Sequence, residues 1–366
     1  MRKYLFLLFL LIATNAHAGG QQTLVTPDGN VFGTPTNPLQ VTVVGGGIGE
    51  ITGPFTQLTS CPSDIVAYVA ALAEDTRVQF PSGCSYTLTS SSTVEVPNGV
   101  WIDFADTLIT RTATSAAILT MTNKNVTKSI HISNVRCAGS FATQCIKVDQ
   151  QSGTVGGKNA FVFKNIKASF TPDSSITGVY GFKIDDSGYT IDGADIKITT
   201  AANATNAWAI RAIANETAEL DTDFSITGWH DYVTCTGYTP TFCRGLDVAY
   251  QNRTGAGAPA NITGIVQNFS SHAYSSGSGE ACKQTNDTPA TALTNTVYWV
   301  NGSCDGSTYD FRDGSAFGSY ITAYMDNVSM VNGRYALVSA NTSGYLFTGI
   351  TFKAGNYWTI DSDEVP

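Results

Sequence analysis

The chain has 366 residues, a formal net charge of −9 and only 13% charged residues, while 11% of its residues are aromatic. Such an acidic, sparsely charged chain lacks the basic footprint of a nucleic-acid-binding protein. Its aromatic and glycine content favours an ordered, β-rich fold over a disordered chain.

Residues 1–18 have the pattern of a secretory signal peptide. Arg2 and Lys3 precede an apolar run that ends in Ala16-His17-Ala18, a small-x-small cleavage site. That run is too short to span a bilayer, and no later segment is long and apolar enough to do so. We therefore expect a secreted, periplasmic, or cell- or virion-surface protein whose charge after cleavage changes from −9 to −11, because Arg2 and Lys3 are lost.

Residues 19–58 are rich in Gly, Pro and Thr, which predicts an extended arm or linker. Residues 59–366 are predicted to form one domain. An even number of cysteines with an export signal favours disulfides over metal ligation, and no C-x-x-C motif is present. Near-neighbour pairing predicts the bonds Cys61–Cys84, Cys137–Cys145, Cys235–Cys243 and Cys282–Cys304.

One sequence frame recurs along this domain, with apolar residues four and two positions before a polar or small residue and one position after it. The central residues are Asn134, Asn165, Asp195, Gly228, Asn268, Asn301, Asn327 and Gly349. All but one of the residues two positions before them are bulky and apolar: Ile132, Phe163, Gly193, Ile226, Val266, Trp299, Met325 and Phe347.

The frame predicts a stack of strands. Apolar residues alternate with period two inside each unit, and Gly, Asn, Ser and Thr bound the units. One unit cannot bury its apolar face alone, whereas stacked units can. We predict an all-β parallel solenoid with a tight turn at each Asn, since Asn tolerates a left-handed φ.

The beginning of the domain resembles right-handed parallel β-helices of the pectate-lyase-like superfamily. Residues 63–75 place Ile65, Val69, Leu72 and Ala73 on one helical face. The next two strands match the family at Val78, Phe80, Pro81, Gly83 and Tyr86, and then at Val96, Pro97, Gly99, Val100 and Ile102. The resemblance implies a single-stranded right-handed parallel β-helix with an N-terminal capping helix, a fold shared by polysaccharide lyases, glycoside hydrolases, phage tailspikes and adhesins.

In the enzymes of this superfamily, the strand after each variable loop carries the substrate groove. Alternation predicts that the charged residues of these strands face outward here, about 4.8 Å apart from rung to rung. The same face is expected to hold Lys147, Asp149 and Lys283. The predicted catalytic residues are Lys183, Asp185, Asp186, Arg211, Asp247, Asp310 and Arg312.

Two enzymatic chemistries and one non-catalytic alternative fit this face. Paired carboxylates could act as acid and base on a glycosidic bond. Alternatively, carboxylates could hold Ca²⁺ while Lys or Arg removes a proton beside a uronate carboxyl group, as in pectate-lyase-like enzymes. Asp185 and Asp186 resemble the paired aspartates of polygalacturonases, although the Gly-His-Gly and Arg-x-Lys motifs of that family are absent. The third alternative is a solvated face with cross-rung ion pairs.

Two further sets of outward residues are predicted to bind substrate. Arg136, Lys167, Lys197 and His230, each two positions after a frame centre, form a basic stripe for an anionic polysaccharide. Tyr298 and Tyr324 form an aromatic patch that could stack on sugar rings or pack against another subunit. His131, His230 and His272 fall on different rungs or columns, so neither a Ser-His-Asp arrangement nor a metal cluster is predicted.

The sequence therefore predicts an exported β-helix protein that binds acidic polysaccharide, with cleavage by a lyase or hydrolase mechanism as the enzymatic form. The alternative is a non-catalytic protein resembling a tailspike, fibre or adhesin, in which the β-helices associate as a homotrimer. Ca²⁺ is the cofactor that the lyase mechanism would use.

Overall fold

The computed structural model describes residues 24–25, 31–32, 51–122, 128–149, 160–185, 187–200, 206–214, 222–236, 242–251, 261–286, 295–313, 321–338, 344–348 and 351–352. The chain divides into two compact units, Met1–Gly47 and Ile48–Pro366. The predicted signal peptide and most of the predicted arm lie outside the described residues.

The described residues form one helix and twenty-four strands. In chain order they are β1 (Leu24–Val25), β2 (Val31–Phe32), β3 (Phe55–Gln57), α1 (Ile65–Ala70), β4 (Arg77–Gln79), β5 (Ser85–Leu88), β6 (Val94–Glu95), β7 (Trp101–Arg111), β8 (Ala116–Met121), β9 (Ile130–Gly139), β10 (Ala142–Val148), β11 (Phe161–Phe170), β12 (Gly178–Asp185), β13 (Tyr189–Thr200), β14 (Asn206–Ala214), β15 (Thr222–Cys235), β16 (Cys243–Gln251), β17 (Ile262–Ser275), β18 (Gly279–Asn286), β19 (Asn295–Gly306), β20 (Tyr309–Asp313), β21 (Thr322–Val331), β22 (Tyr335–Val338), β23 (Gly344–Thr348) and β24 (Thr351–Phe352).

The first unit contains the antiparallel pair β1–β2. In the second unit, strands from β6 to β23 alternate between two long sheets. The smaller sheet has the order β22-β20-β18-β16-β14-β12-β10-β8-β6. The larger has the order β23-β21-β19-β17-β15-β13-β11-β9-β7-β4-β3, with β5 beside β7 and β24 beside β21. All strand pairs of both sheets are parallel, which is consistent with the predicted β-solenoid.

The predicted turn residues adopt the left-handed backbone conformation. Positive φ angles occur at Asn134, Asn165, Gly193, Gly228, Asn268, Asn301 and Asn327, and Gly349 lies outside the described residues. The asparagines also bond along the stack: Nδ2 of Asn165 donates to Oδ1 of Asn134 at 3.0 Å, and Nδ2 of Asn327 donates to Oδ1 of Asn301 at 3.0 Å. The turn frame is therefore confirmed for these described rungs, with one exception.

The exception is the rung formed by β13, where Asp195 was predicted as the turn residue. Lys164 pairs with Asp192 and Ile166 with Ala194, so Gly193 lies opposite Asn165. Glycine adopts the left-handed φ at little steric cost. A shift by two residues also keeps the same residues inward, because the side-chain period of a strand is two.

This correction changes the predicted basic stripe. Asp195 lies between Lys167 and His230 in the register, where Lys197 was expected. Lys197 instead pairs with Ser169 and Tyr232. The stripe of four basic residues was therefore predicted wrongly, because its third position carries a carboxylate.

The core lies between the sheets and is filled by the inward columns. The residues two positions before the turns are all buried where the structure describes their side chains: Ile132, Phe163, Ile191, Ile226, Val266, Trp299 and Met325. Helix α1 begins at an N-cap, Asp64, whose carboxylate accepts hydrogen bonds from the backbone N–H groups of Val66 and Ala67. Ile65 and Val69 of this helix are buried in the core cluster.

All four predicted disulfides are present, at Cys61–Cys84, Cys137–Cys145, Cys235–Cys243 and Cys282–Cys304. Disulfides persist in oxidising compartments, so these bonds are compatible with an extracellular location. Among the described residues, the helices are too short or too polar to cross a membrane.

Replacing Asn301 tests the turn. We expect Asn301→Ala to lower the free energy of unfolding by about 2 kcal/mol, because alanine is strained at φ 51° and cannot accept the hydrogen bond from Asn327. Asn301→Gly loses only the hydrogen bond and should be about 1 kcal/mol more stable than the alanine variant. Chemical denaturation measures both, and a glycine variant no more stable than the alanine variant would contradict the turn model.

Candidate functional site

The outer face of the smaller sheet gathers the charged residues that alternation placed there. Strand register aligns one residue from each rung in a single column: Lys147, Lys183, Arg211, Asp247, Lys283 and Arg312. A second column runs beside it: Gln144, Tyr180, Trp208, Arg244, Glu280, Tyr309 and Tyr335. The two columns together define the candidate site.

The two columns come together where the inward–outward alternation of a strand breaks, a position that we call the bend: in β12, Gly181 and Phe182 are both buried between the partly exposed Tyr180 and Lys183. Gly181 lies between Tyr180 and Phe182, and a Cβ atom added to it would lie 2.4 Å from the carbonyl oxygen of Ala209. Only glycine fits this close approach. Because of the bend, Tyr180 and Lys183 both line the outer groove, whereas Phe182 between them is buried.

The N-terminal half of the face forms an open groove of about 510 Å³, lined by Thr93, Ala116, Ala117, Thr120, Thr143, Gln144, Lys147, Tyr180 and Lys183. Each lysine is held by the carboxylate two residues after it in the chain, with Lys147 Nζ 2.6 Å from Asp149 Oδ2 and Lys183 Nζ 2.8 Å from Asp185 Oδ2. Neither carboxylate lines the groove. The groove surface therefore presents hydroxyl groups, an amide, a tyrosine ring and two cations.

The tyrosine ring of the groove is held in place by stacking. Tyr180 lies parallel to the buried Trp208, with 4.6 Å between the ring centroids. The guanidinium carbon of Arg211 lies 5.4 Å from the Trp208 ring centroid, within cation–π distance. Tyr180 is thus a fixed platform at one side of the groove.

The C-terminal half of the face is a buried ionic network centred on Glu280. Arg244 Nε lies 2.6 Å from Glu280 Oε2, and Arg244 Nη1 lies 2.7 Å from Asp247 Oδ2. Lys283 Nζ lies 3.6 Å from Glu280 Oε2, and Arg312 donates to Glu280 Oε1. Glu280 and Asp247 are almost fully buried, so this half is a packed network and not an open groove.

The charges of this network shift one another's pKa values. Burial raises the pKa of Glu280, but Lys283, Arg244 and Arg312 outweigh it, so the pKa lies below its ordinary value. Burial lowers the pKa of Lys283 despite the opposing influence of Asp247 and Glu280. Each charge is held by its neighbours, and removing one partner would leave the others buried and uncompensated.

Asp310 does not lie on the outer face, contrary to the expectation from alternation. It occupies the bend position beside Ala281, is fully buried, and accepts hydrogen bonds from the backbone N–H groups of Gly306 at 2.9 Å and Gly333 at 3.0 Å. The bend breaks the inward–outward alternation, so Tyr309 and Arg312 lie in the two outer columns instead. Asp186, the other member of the predicted aspartate pair, lies outside the described residues.

The predicted basic stripe borders a second groove on the larger sheet, about 610 Å³ in volume. Its ionisable lining residues are Asp106, Lys167, Asp195 and His230. Lys167 and Arg136 lie 3.6 Å and 3.7 Å from the carboxylate oxygens of Asp106. This groove has both signs of charge and is a weaker candidate for a polyanion than the groove that contains Lys147 and Lys183.

Tyr298 and Tyr324 are neighbours on β19 and β21, as the frame predicted. Their rings stack with 4.6 Å between centroids and 11° between planes, and Tyr298 is 42% exposed. Ile265 precedes Tyr298 in the same column, and the side chain of Leu346, the next position after Tyr324 in the register, is outside the described residues. The result is an aromatic and aliphatic strip on the outer face of the larger sheet.

One arrangement was missed, and the expectation of no Ser-His-Asp arrangement is wrong. Ser270 Oγ lies 2.8 Å from His272 Nε2, and His272 Nδ1 lies 3.2 Å from Asp305 Oδ2. The turn frame contained the signal, because His272 and Asp305 each lie four positions after their turn residues, Asn268 and Asn301.

Among the described residues, no group of three or more His, Cys, Asp or Glu side chains is arranged to hold a metal ion. The Ca²⁺ ion of the lyase mechanism therefore has no described set of ligands. Comparison with models of known protein families and with curated proteins finds no match.

Asp310 gives the fold a testable pH dependence. Burial is the main cause that raises its pKa to about 8. The folded state then keeps a proton that the unfolded state releases near the ordinary value of 3.8, so the free energy of unfolding falls as pH rises from about 4 to about 8. The contribution of this carboxyl group has a slope of up to about 1.4 kcal/mol per pH unit.

Asp310→Asn keeps the Oδ1 acceptor and removes the titration. We expect its stability relative to the wild type to increase steadily across this pH window, on top of any constant offset. Urea denaturation at several pH values measures the difference, with Asp192→Asn on the exposed surface as the control. Parallel pH profiles for Asp310→Asn and the wild type would refute the raised pKa.

Proposed function

We propose that the protein is exported and binds an acidic polysaccharide in the groove formed by β8, β10 and β12. The observation that carries the proposal is the groove lining, in which Lys147 and Lys183 stand one rung apart. The carboxylates that contact lining residues, Asp149, Asp185 and Glu95, lie outside the lining. Carboxylate groups of successive uronate-type sugars are the polyanion that such a pair of ammonium groups would recognise.

The rest of the lining supports a sugar ligand. The Thr120 hydroxyl already donates to Glu95 and the Thr143 hydroxyl to Gln144. The threonine hydroxyl oxygens can still accept from sugar hydroxyls, and the Gln144 amide nitrogen can donate to them. Tyr180, fixed against Trp208, offers a flat ring beside them. Three consecutive rungs span about 10 Å, so the groove follows an extended chain and does not enclose a small ligand.

The carboxylates favour binding over cleavage, because they are already paired with basic side chains. Asp149 and Asp185 are paired with lysines, and Asp247 is buried against Arg244. Cleavage by Asp185 together with Lys183, Arg211 or Arg312 would require substrate to displace these partners. The enzymatic form of the proposal is therefore a lyase or hydrolase in which substrate binding releases Asp185 from Lys183.

We also propose the handedness of the solenoid and the role of helix α1 as its N-terminal cap. Crossovers between parallel strands of one sheet are right-handed in nearly all proteins, so we assign a right-handed helix. Helix α1, with Ile65 and Val69 in the core, would close the N-terminal end of the solenoid. Both features agree with the resemblance to pectate-lyase-like proteins noted above.

Replacing Lys183 tests the binding site. We expect Lys183→Ala to weaken binding to polygalacturonate or alginate about fivefold, because it removes one ion pair worth about 1 kcal/mol, and to reduce the salt dependence. Isothermal titration at several ionic strengths measures both effects. Lys164→Ala is the matched control, because Lys164 is an exposed lysine of the other sheet.

Equal losses in the Lys183 and Lys164 variants would show that any surface lysine suffices and would overturn the groove as the site. Incubation of the same polysaccharides with Ca²⁺ or EDTA separates binding from cleavage. Ultraviolet absorbance of unsaturated products indicates a lyase, and new reducing ends without that absorbance indicate a hydrolase. Binding with neither signal supports an adhesin-like protein.

The strip of Tyr298, Tyr324 and Ile265 favours the alternative of a fibre-like or tailspike-like homotrimer. Exposed aromatic strips of this kind commonly mark subunit contacts. Analytical ultracentrifugation of the wild type and Tyr298→Ser distinguishes the cases. A trimer that dissociates in the variant supports assembly through this strip, whereas a monomer in both leaves the strip to a ligand.

A further inference from the structure

We propose that Ser270, His272 and Asp305 form a catalytic triad that hydrolyses esters of small acyl groups. The site lies on β17 and β19 in the larger sheet and is separate from the groove on β8, β10 and β12. The proposal is independent of polysaccharide binding. The proposal rests on the two contacts of the His272 ring: Nε2 lies beside a serine hydroxyl group and Nδ1 beside a carboxylate, as a serine nucleophile requires.

The parallel register builds this arrangement. His272 on β17 pairs directly with Asp305 on β19, so their side chains stand one rung apart on the same face. Ser270 precedes His272 by two residues, and its side chain therefore leaves the strand on that face as well. The His272 side chain is 27% exposed, which leaves its ring within reach of a ligand from solvent.

The aspartate is oriented by two further groups. The Tyr274 hydroxyl donates to Asp305 Oδ2, and Asn332 Nδ2 donates to Asp305 Oδ1 at 3.2 Å. The Asp305 side chain is only 9% exposed. A carboxylate in this position accepts from the Nδ1–H group of His272 and so leaves Nε2 free to accept the Ser270 proton.

The histidine is anchored through its backbone as well. The buried Asp231 accepts a hydrogen bond from the His272 backbone N–H group at 2.9 Å, and Trp229 Nε1 donates to the same carboxyl group at 2.5 Å. The backbone of His272 is thus held by a buried carboxyl group. Ser270, His272 and Asp305 thus have the arrangement expected of an activated nucleophile: a nucleophile, a base beside it, and a third group that orients the base.

The reaction balances with water as the second reactant. Ser270 Oγ forms a bond to the carbonyl carbon of the ester while its proton moves to His272 Nε2. The C–O bond to the alcohol then breaks, and the same proton passes to the departing oxygen. Water, deprotonated by His272, next attacks the acyl–Ser270 ester, which releases a carboxylic acid and restores the Ser270 hydroxyl.

The side chains of the neighbouring rungs would donate to the developing oxyanion. In the register, Ser270 lies between His230 on the preceding rung and Ser303 on the following rung. The Ser303 hydroxyl already donates to Ser270 Oγ at 3.2 Å. Backbone N–H groups are engaged in the parallel ladder, so His230 and Ser303 would supply the stabilisation that backbone groups give in other serine hydrolases. The substrate class follows from the strand face itself, because His272 is reached from solvent across a sheet surface, where a small acyl group needs no enclosing pocket.

Covalent labelling tests the triad directly. A fluorophosphonate probe should react with the full-length, disulfide-bonded protein at Ser270, forming an Oγ–P bond and releasing fluoride, and peptide mass spectrometry locates the adduct. We expect no adduct at this position in Ser270→Ala, and labelling at least 10²-fold slower, as an order of magnitude, in His272→Gln and Asp305→Asn. Hydrolysis of p-nitrophenyl acetate should fall in parallel.

Ser329→Ala is the matched control, because Ser329 lies in the same column as Ser270 and Ser303 but Val331 occupies the place of the histidine on its rung. This variant should label like the wild type. Circular dichroism confirms the fold of each variant, and Asp305→Asn decides the outcome if His272→Gln fails to fold. Absence of an adduct at Ser270 in the wild type, or an equal labelling rate in Asp305→Asn, would overturn the proposal.

Discussion

The parallel register between consecutive rungs is the constraint on which all other features of this molecule depend. It places corresponding positions about 4.8 Å apart, so a residue type repeated in the frame becomes a column on the surface or in the core. A slip by one residue would turn every apolar side chain outward, so the choice of which residues face inward is strongly determined. The left-handed residues at the turns, such as Asn165 and Asn301, fix the register at one point in each rung.

The sequence predicts which residues of each strand face inward, but it does not always predict how neighbouring strands are aligned. The alternation of Asp195, Ile196, Lys197 and Ile198 is equally compatible with two positions of β13 that differ by two residues. The structure selects the position that puts Gly193 at the turn. The glycine in a column of bulky apolar residues was the visible sign of the error. The disulfides were easier to predict, because each joins cysteines that are close in the chain and close in the stack.

The bend in the smaller sheet explains why the charged face was predicted only in part. Alternation holds on either side of the bend and correctly aligns Lys147, Lys183 and Arg211. It fails at the bend itself, where small residues such as Gly181 and Ala281 are followed in the stack by Asp310. The bend is a property of close backbone approach between rungs, and a single rung read by itself contains no sign of it.

The register also explains how a chain with so few charges can carry separate sites. His272 and Asp305 are 33 residues apart, which is the spacing between the turn residues Asn268 and Asn301, so the repeat length alone brings them together. The groove uses rungs nearer the N-terminus and the other sheet. Because each rung of a solenoid contacts mainly its neighbours, a substitution at one site leaves the register of the other intact.

The buried network around Glu280 occupies the rungs from β16 to β20 on the smaller sheet, and its ionic partners lie in the packed part of the face and not in the groove. Burying such a network adds little stability compared with apolar packing of the same volume. Its five charged residues instead hold one another in a single arrangement, with Glu280 in contact with Arg244, Lys283 and Arg312, and Asp247 in contact with Arg244.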